Sequence, residues 1–308
     1  MFQAGEYSQR GDNWKHEILT LVPLPHSGDL RRPVVRGHHS NSLISGLALV
    51  MLLLLVVTLP GCGGDGDGDG NGGGWAEAMM NRVPRGAAKF MFTFTDFAAM
   101  RADVELREFY DDYKKEIESE CEALGISPDN VDSASKGYSG WIFLVLEGEC
   151  DLDGVRQGLE DKGYQDGEYK EVQTWGNSSA DIGAIALVSA NCIVIGDDVD
   201  NLQKSIDVVK GDEDSLSDDE DMLDLMGRLP PGIVVSVSTY YKTYPGCETT
   251  GYSLNKKDSD TVLVTMILLF EDEDSADDAM KDIEGEHDNG EVTKDGRYIT
   301  VNSESDLK

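Results

Sequence analysis

The sequence predicts an α+β fold built from two degenerate repeats, each a ferredoxin-like antiparallel sheet with helices on one face. Two similar motifs, Arg-Val-Pro-Arg-Gly at 82–86 and Arg-Leu-Pro-Pro-Gly at 228–232, each precede an alternating or apolar strand pattern. Two continuous apolar runs, 141–146 and 262–270, are each followed by an amphipathic helix pattern. We therefore expect a first repeat at 75–226 and a second repeat at 227–308.

The N-terminal segment has the features of an export signal. Residues 43–59 form an apolar stretch, several arginines precede it, and Leu59-Pro60-Gly61-Cys62 follows it. A basic region, an apolar region and a small residue at the cut are typical of a secretory signal. An uncleaved transmembrane helix is the alternative, although 17 residues is at the short limit of a membrane span.

The cysteine directly after the cut makes this segment resemble the signal of a bacterial lipoprotein. In that family the cysteine thiol receives a diacylglyceryl group. The resemblance implies a signal region at 1–61 and lipidation at Cys62, and the composition of 1–42 predicts that this part of it is unstructured. It also implies that the folded domain is attached to the membrane through lipid, outside the cytoplasm.

Residues 62–74 predict a flexible tether after the lipidated cysteine. The twelve residues after Cys62 comprise eight Gly, three Asp and one Asn, which cannot bury a core. The Asp-Gly alternation at 65–70 imitates the start of an EF-hand loop, but Ala76 stands where that loop has a bidentate Glu. We therefore expect a spacer at this position, and no metal site.

The charge of the chain excludes one class of partner. Its 26 Lys and Arg stand against 59 Asp and Glu, a formal net charge of −33. Nucleic-acid binding needs a basic surface that displaces counterions, so we expect no nucleic-acid partner. Four of the five histidines precede Cys62 and only His287 follows it, and no Gly-rich phosphate loop follows a strand. We therefore expect no cofactor and no His-based catalytic site.

Four cysteines remain after Cys62. Because an exported protein meets oxidising conditions, we expect at least one disulfide among them. Their spacing leaves all three connectivities open. The four disulfide candidates are Cys121, Cys150, Cys192 and Cys247.

The elements of the first repeat follow in order. Alternating phenylalanines predict a strand at 89–95, and apolar residues at helical spacing predict one amphipathic helix at 97–124, ended by Gly125. A buried strand at 141–146 and a helix ending near 162 come next, followed by a strand at 169–175. Two strands at 182–188 and 192–195 predict a hairpin, and helices at 198–210 and 217–226 complete the repeat.

The second repeat has strands at 233–237, 262–270 and near 298–304 and a helix at 275–283, with a polar segment at 240–257 in place of the long helix. Across roughly 80–308 the chain resembles a family of duplicated bacterial envelope proteins of unknown function. That resemblance brings no catalytic residues with it.

Two kinds of site remain open. Tyr240, Tyr241, Tyr244 and Tyr252 concentrate aromatic side chains in one polar segment, where they either form a binding surface or pack as a cover over the sheet. Acidic residues cluster at several positions, such as 218–221 and 271–274. We interpret these clusters as solvated helix starts in preference to cation sites. The sequence thus indicates a non-catalytic binding or scaffolding domain anchored in the membrane. The alternative is an extracytoplasmic hydrolase that uses a carboxylate pair.

Overall fold

The structure is a computed structural model that describes residues 74–86, 90–138, 142–180, 182–239, 244–287 and 290–307. The signal region, Cys62 and most of the Gly/Asp tether lie outside the described residues, as do Tyr240 and Tyr241. In the part of the chain that is described, no helix combines the length and apolarity needed to cross a bilayer.

Twelve strands form one antiparallel sheet in the order β11-β12-β10-β9-β8-β1-β2-β3-β7-β6-β5-β4. The strands are β1 Met91–Asp96, β2 Val131–Tyr138, β3 Ile142–Gly148, β4 Gln165–Tyr169, β5 Val172–Gly176, β6 Ala184–Ser189, β7 Cys192–Gly196, β8 Val234–Ser238, β9 Cys247–Lys256, β10 Thr261–Phe270, β11 Glu291–Asp295 and β12 Tyr298–Asp306. The described helices are α1 Gly74–Met80, α2 Phe97–Ala102, α3 Arg107–Tyr113, α4 Glu118–Leu124, α5 Leu152–Asp161, α6 Val199–Lys210, α7 Glu220–Arg228 and α8 Glu273–Glu286. The predicted antiparallel α+β class is confirmed.

Helices cover both faces of the sheet, so the expectation of helices on one face is wrong. Strand β3 is apolar on both sides: Phe143 and Val145 join one core, and Leu144 and Leu146 join another. Such a strand must be covered on both faces. Helices α1, α6 and α7 pack on the first face, and α2, α4 and α5 pack on the opposite face. Helix α8 covers a third core on β10 and β12.

The single helix predicted at 97–124 is broken into three short helices. Asp103 is extended and ends α2, and its carboxylate accepts a hydrogen bond from the backbone N–H of Glu105. Lys256 of β9 also binds the Asp103 carboxylate, with Nζ 2.5 Å from Oδ2. A local cap and a contact from a distant strand therefore override the helical periodicity.

The polar segment predicted at 240–257 contains strand β9. Its Thr and Tyr residues favour a pleated strand, and it pairs with both β8 and β10. Gly251 lets α7 pack closely on β9, since a Cβ there would lie 2.9 Å from Leu225 Cδ2 and 3.0 Å from Leu229 Cδ1.

The two halves have a matching strand order. From the centre outward, β1-β2-β3-β7-β6 in the first half corresponds to β8-β9-β10-β12-β11 in the second. The halves meet where β1 pairs antiparallel with β8, with Phe94 opposite Val235. A duplication would produce this order, but the repeat and its boundary at 226–227 stay predictions until the halves are superposed.

Candidate functional site

An open pocket of about 670 Å³ lies where β3 ends and α5 begins. It is lined by Asn130, Glu149, Cys150, Asp151, Leu152, Asp153, Arg156, Ala190 and Asn191. These residues come from the connection before β2, the connection after β3, helix α5 and the turn before β7. The pocket is thus formed by chain segments that lie side by side because their strands are neighbours in the sheet.

Gly148 makes this close approach possible. A Cβ at this position would lie 2.0 Å from the carbonyl oxygen of Asn130, so no larger residue fits without moving the backbone. Its N–H donates to the Asn191 carbonyl at 3.0 Å, and the Glu149 N–H donates to the Asn130 carbonyl at 3.0 Å. These two bonds hold the start of the 149–151 connection between β2 and β7.

The pocket carries acids that face solvent. Glu149, Asp151 and Asp153 are all exposed. Asp151 caps α5 by accepting a hydrogen bond from the Gly154 N–H at 3.1 Å, and Asp153 forms an ion pair with Arg156 at 2.9 Å. Acids at a helix start stabilise the helix, which accounts for Asp151 and Asp153 without a catalytic role.

Cys150 is the cysteine that lines the pocket. Burial, reinforced by the negative charge of Asp132, raises the pKa of its thiol above the ordinary value. A raised pKa keeps the sulfur protonated near neutral pH, whereas catalytic cysteines have a lowered pKa. In this respect Cys150 differs from a catalytic cysteine.

The predicted acid clusters act as helix caps and ion pairs. In the cluster at 218–221, Asp219 caps α7, and Asp221 binds Arg297 at 2.6 Å. In the cluster at 271–274, Asp272 caps α8 by accepting a hydrogen bond from the Ser275 N–H at 2.8 Å. Among the described residues, no three His, Cys, Asp or Glu side chains come together as a metal site.

Burial raises the pKa of Asp96, but this carboxyl belongs to the start of α2 and does not line the pocket. It accepts a hydrogen bond from the Ala99 N–H at 2.8 Å. A hydrolase with a carboxylate pair would need such a carboxyl opposite a second one across a cleft. The pocket at α5 does not place Asp96 in that position.

The tyrosines predicted as a binding surface are partly a cover over the sheet. Tyr244 is only 7% exposed and packs in the core under α8. Its hydroxyl donates to Glu286 Oε2 at 2.6 Å. Tyr252 is half-buried and packs against the same core. The alternative interpretation, packing as a cover, therefore applies to these two residues.

A small apolar patch lies at the other end of β3, and the sequence analysis did not identify it. Tyr138 is 36% exposed and Ile142 is 45% exposed. They face each other across β2 and β3, and Met91 pairs with Tyr138 on the next strand. The residues before Tyr138 are polar, so hydrophobic periodicity did not predict strand β2. Without that strand, no pattern in the sequence placed Tyr138 beside Ile142.

No disulfide joins Cys121, Cys150, Cys192 and Cys247 in the structure, where at least one was expected. The reason is their distribution. Cys192 lies in the core of the first face, Cys121 and Cys150 lie in the core of the opposite face, and Cys247 lies in the core under α8. Most of the pairings that the sequence left open would have to cross the sheet or join two separate cores.

The comparisons with known proteins give no function. No protein-family profile matches the chain. Over 184 residues the chain is 24% identical to MJ0635, an uncharacterized protein of Methanocaldococcus jannaschii. That match covers 56% of this chain and 64% of MJ0635, so the chain spans less than two thirds of this relative.

Two solved structures resemble part of this chain at a low score. They are crystal forms III and I of TP0453, each with a TM-score of 0.47, at 8% and 7% sequence identity. The matches cover 74% of this chain and 94% and 92% of the two TP0453 chains. We transfer no site residue from either protein.

Proposed function

We propose that this chain is a membrane-anchored extracytoplasmic lipoprotein whose folded part is a non-catalytic binding or scaffolding domain. The observation that carries the anchor is the apolar stretch 43–59, which ends in Leu59-Pro60-Gly61-Cys62. The Gly/Asp segment that follows suits a spacer between a lipid-bearing cysteine and a folded domain. Two acyl chains hold a protein stably at a membrane, at about 0.8 kcal/mol for each buried methylene.

The geometry of the folded part supports binding over catalysis. The pocket at α5 is open and its three carboxylates are exposed; Asp151 caps α5 and Asp153 forms an ion pair with Arg156. A retaining or inverting glycosidase would instead hold two carboxyl groups about 5–9.5 Å apart, one of them with a raised pKa. Exposed acids and amides suit a polar or cationic group of a partner that stays in contact with water.

Metabolic labelling with radioactive glycerol tests the anchor. We expect label in the wild-type protein and in Cys150→Ser, which removes a cysteine of the folded domain and serves as the control. Cys62→Ser should carry no label, because the acceptor thiol is gone. Equal labelling of Cys62→Ser would disprove lipidation at this residue.

A panel of chromogenic glycosides tests the alternative hydrolase. The binding proposal predicts no turnover above that of the Glu149→Gln/Asp153→Asn double variant. Turnover by the wild type that falls at least 100-fold in the double variant would assign the pocket to catalysis, since a removed acid–base residue contributes about 10²–10⁴-fold.

A further inference from the structure

Strand β11 forms one end of the sheet, and its outer edge is unpaired in the described part of the chain. Asp295 and Tyr298 pair on either side of the two-residue turn between β11 and β12. In such a hairpin this closing pair exchanges its backbone hydrogen bonds, and so does every second pair before it. Val292 and Lys294 lie between those pairs, so their N–H and C=O groups point away from β12. The edge therefore offers two donors and two acceptors to an extended chain.

The first half of the sheet shows what fits at the corresponding place. Counted outward from the centre, β6 has the position in the first half that β11 has in the second. Strand β5 pairs antiparallel with the outer edge of β6, with Trp175 opposite Ile185. Both side chains are buried, so β5 completes a core as well as a ladder. An extended segment on β11 would take the place that β5 takes on β6.

The edge of β11 also leaves part of a core uncovered. Val292 pairs with the buried Val301, so its side chain lies on the face that α8 covers. Val292 and Met280 are only partly buried where they pack against this core. An apolar side chain opposite Val292 on an added strand would cover both. The opposite edge of the sheet offers no such contact, because residues 165–168 of β4 are all exposed.

Acidic side chains flank this edge on the α8 face. Lys294 is only 18% exposed, because its Nζ binds Glu273 at 3.2 Å and Asp277 at 2.6 Å. These two carboxylates remain 68% and 63% exposed. Glu284 is exposed and follows Asp277 at a spacing that places both on the same side of α8. Three carboxylates thus share one lysine, which leaves negative charge for a cation of a partner.

The other face of β11 is acidic as well. Glu291 and Asp295 are exposed and alternate along the strand with Val292 and Lys294. Asp295 binds Arg228 at 3.1 Å but is still 84% exposed. An added strand therefore meets carboxylates on both faces of the sheet. A second copy of this chain is a poor match, since each copy carries 59 Asp and Glu against 26 Lys and Arg.

We propose that the outer edge of β11 binds an extended, basic segment of a partner protein by strand addition. The backbones of Val292 and Lys294 form the ladder, and an apolar side chain of the segment covers Val292. Lys or Arg side chains of the segment bind the carboxylates on the two faces. This surface is separate from the pocket at α5 and independent of lipidation at Cys62, so its failure would leave those proposals untouched.

Hydrogen–deuterium exchange of the full-length protein, read by mass spectrometry, tests the ladder. The probe is the acetylated and amidated peptide Lys-Val-Lys-Val-Lys-Val-Lys. The control peptide, Lys-Val-Lys-Pro-Lys-Val-Lys, has the same charge, but its proline interrupts a ladder. We expect the probe to slow exchange at 291–295 and not at 165–169, and the control peptide to slow neither. No protection at 291–295, or equal protection by both peptides, would overturn the proposal.

Two charge variants test the acidic face by fluorescence anisotropy with the labelled probe. Glu273→Gln/Glu284→Gln should weaken binding about 3–10-fold, because two exposed charge pairs are lost. Asp274→Asn/Asp278→Asn removes the same charge from exposed positions on the other side of α8 and should weaken binding less than about 2-fold, because salt screens distant charges. Equal weakening by the two double variants would show general attraction between opposite charges and would overturn the proposal.

Two proline variants test the edge itself. Val292→Pro removes an outward N–H, which an edge strand can lose without breaking its inner ladder, and should abolish the protection at 291–295. Asp166→Pro changes the corresponding outward position of β4 and should bind the probe like the wild type. Wild-type protection in Val292→Pro, or a dimer of the full chain that this variant dissociates, would overturn the proposal. If circular dichroism shows that Val292→Pro does not fold, the charge variants decide.

Discussion

The turn between β4 and β5 offers a stability prediction that can be worked from the backbone. Lys170 and Glu171 connect the two strands, with Tyr169 opposite Val172, and both have positive φ angles, 48° and 65°. Two positive φ angles are typical of a type I′ hairpin turn, which favours Gly at its second central position. Lys170 binds Asp207 and Asp212 of the α6 region, so the turn is held in place from outside.

Replacing Glu171 by Gly should therefore stabilise the protein. A left-handed conformation costs an L-residue about 1–2 kcal/mol, and Gly avoids this cost. The greater freedom of Gly in the unfolded chain lowers the free energy of unfolding by roughly 0.5–1 kcal/mol, which offsets part of the gain. The net gain is about 0.5–1 kcal/mol, or about 1–4 °C in Tm for a chain of this size.

Urea denaturation of Glu171→Gly and Glu171→Ala isolates the backbone effect. Both variants remove the same charge, but Glu171→Ala keeps the Cβ and should stay within about 0.5 kcal/mol of the wild type. The reasoning fails if Glu171→Gly is no more stable than Glu171→Ala.

Three further predictions concern single side chains. Tyr244→Phe should lower the free energy of unfolding by about 1–2 kcal/mol, because the Glu286 carboxylate loses the hydrogen bond that the buried Tyr244 hydroxyl donates; unchanged stability would contradict this. Gly148→Ala should cost roughly 3 kcal/mol in the same assay, because the new Cβ collides with a backbone carbonyl, and a loss below about 1 kcal/mol would show that the backbone relaxes freely. Asp272→Ala should lower the denaturation midpoint at pH 7, because hydrogen bonds from Ser275 lower the pKa of Asp272 in the folded protein. That stabilisation is complete above the unfolded pKa of about 3.9 and is lost as the pH falls through the lower folded pKa, so variant and wild type should converge in strongly acidic solution.

The sequence predicted those elements whose pattern is local. The apolar runs at 141–146 and 262–270 became β3 and β10, and the helix after each of them was correctly predicted. Caps and stops such as Gly125 and Gly211, both at positive φ, ended helices where expected. These features depend on neighbours within a few residues, which is why composition and spacing revealed them.

The elements that the sequence did not predict depend on distant contacts. Strand β9 is stabilised by pairing on both sides, although its own residues are polar. The helix predicted at 97–124 breaks at Asp103, which binds Lys256. The pocket at α5 is invisible in the sequence because its walls come from segments far apart in the chain. The two cysteines of one core were not distinguishable from the other two by spacing alone.

The central claim is that Cys62 is the lipid-bearing first residue of the mature protein. The most direct measurement is the mass of the N-terminal peptide from the protein purified with membranes. We expect a peptide that begins at Cys62 and carries a diacylglyceryl group. A peptide that begins upstream of Cys62 and contains it as an unmodified thiol would show that this cysteine is not the lipidated N-terminus.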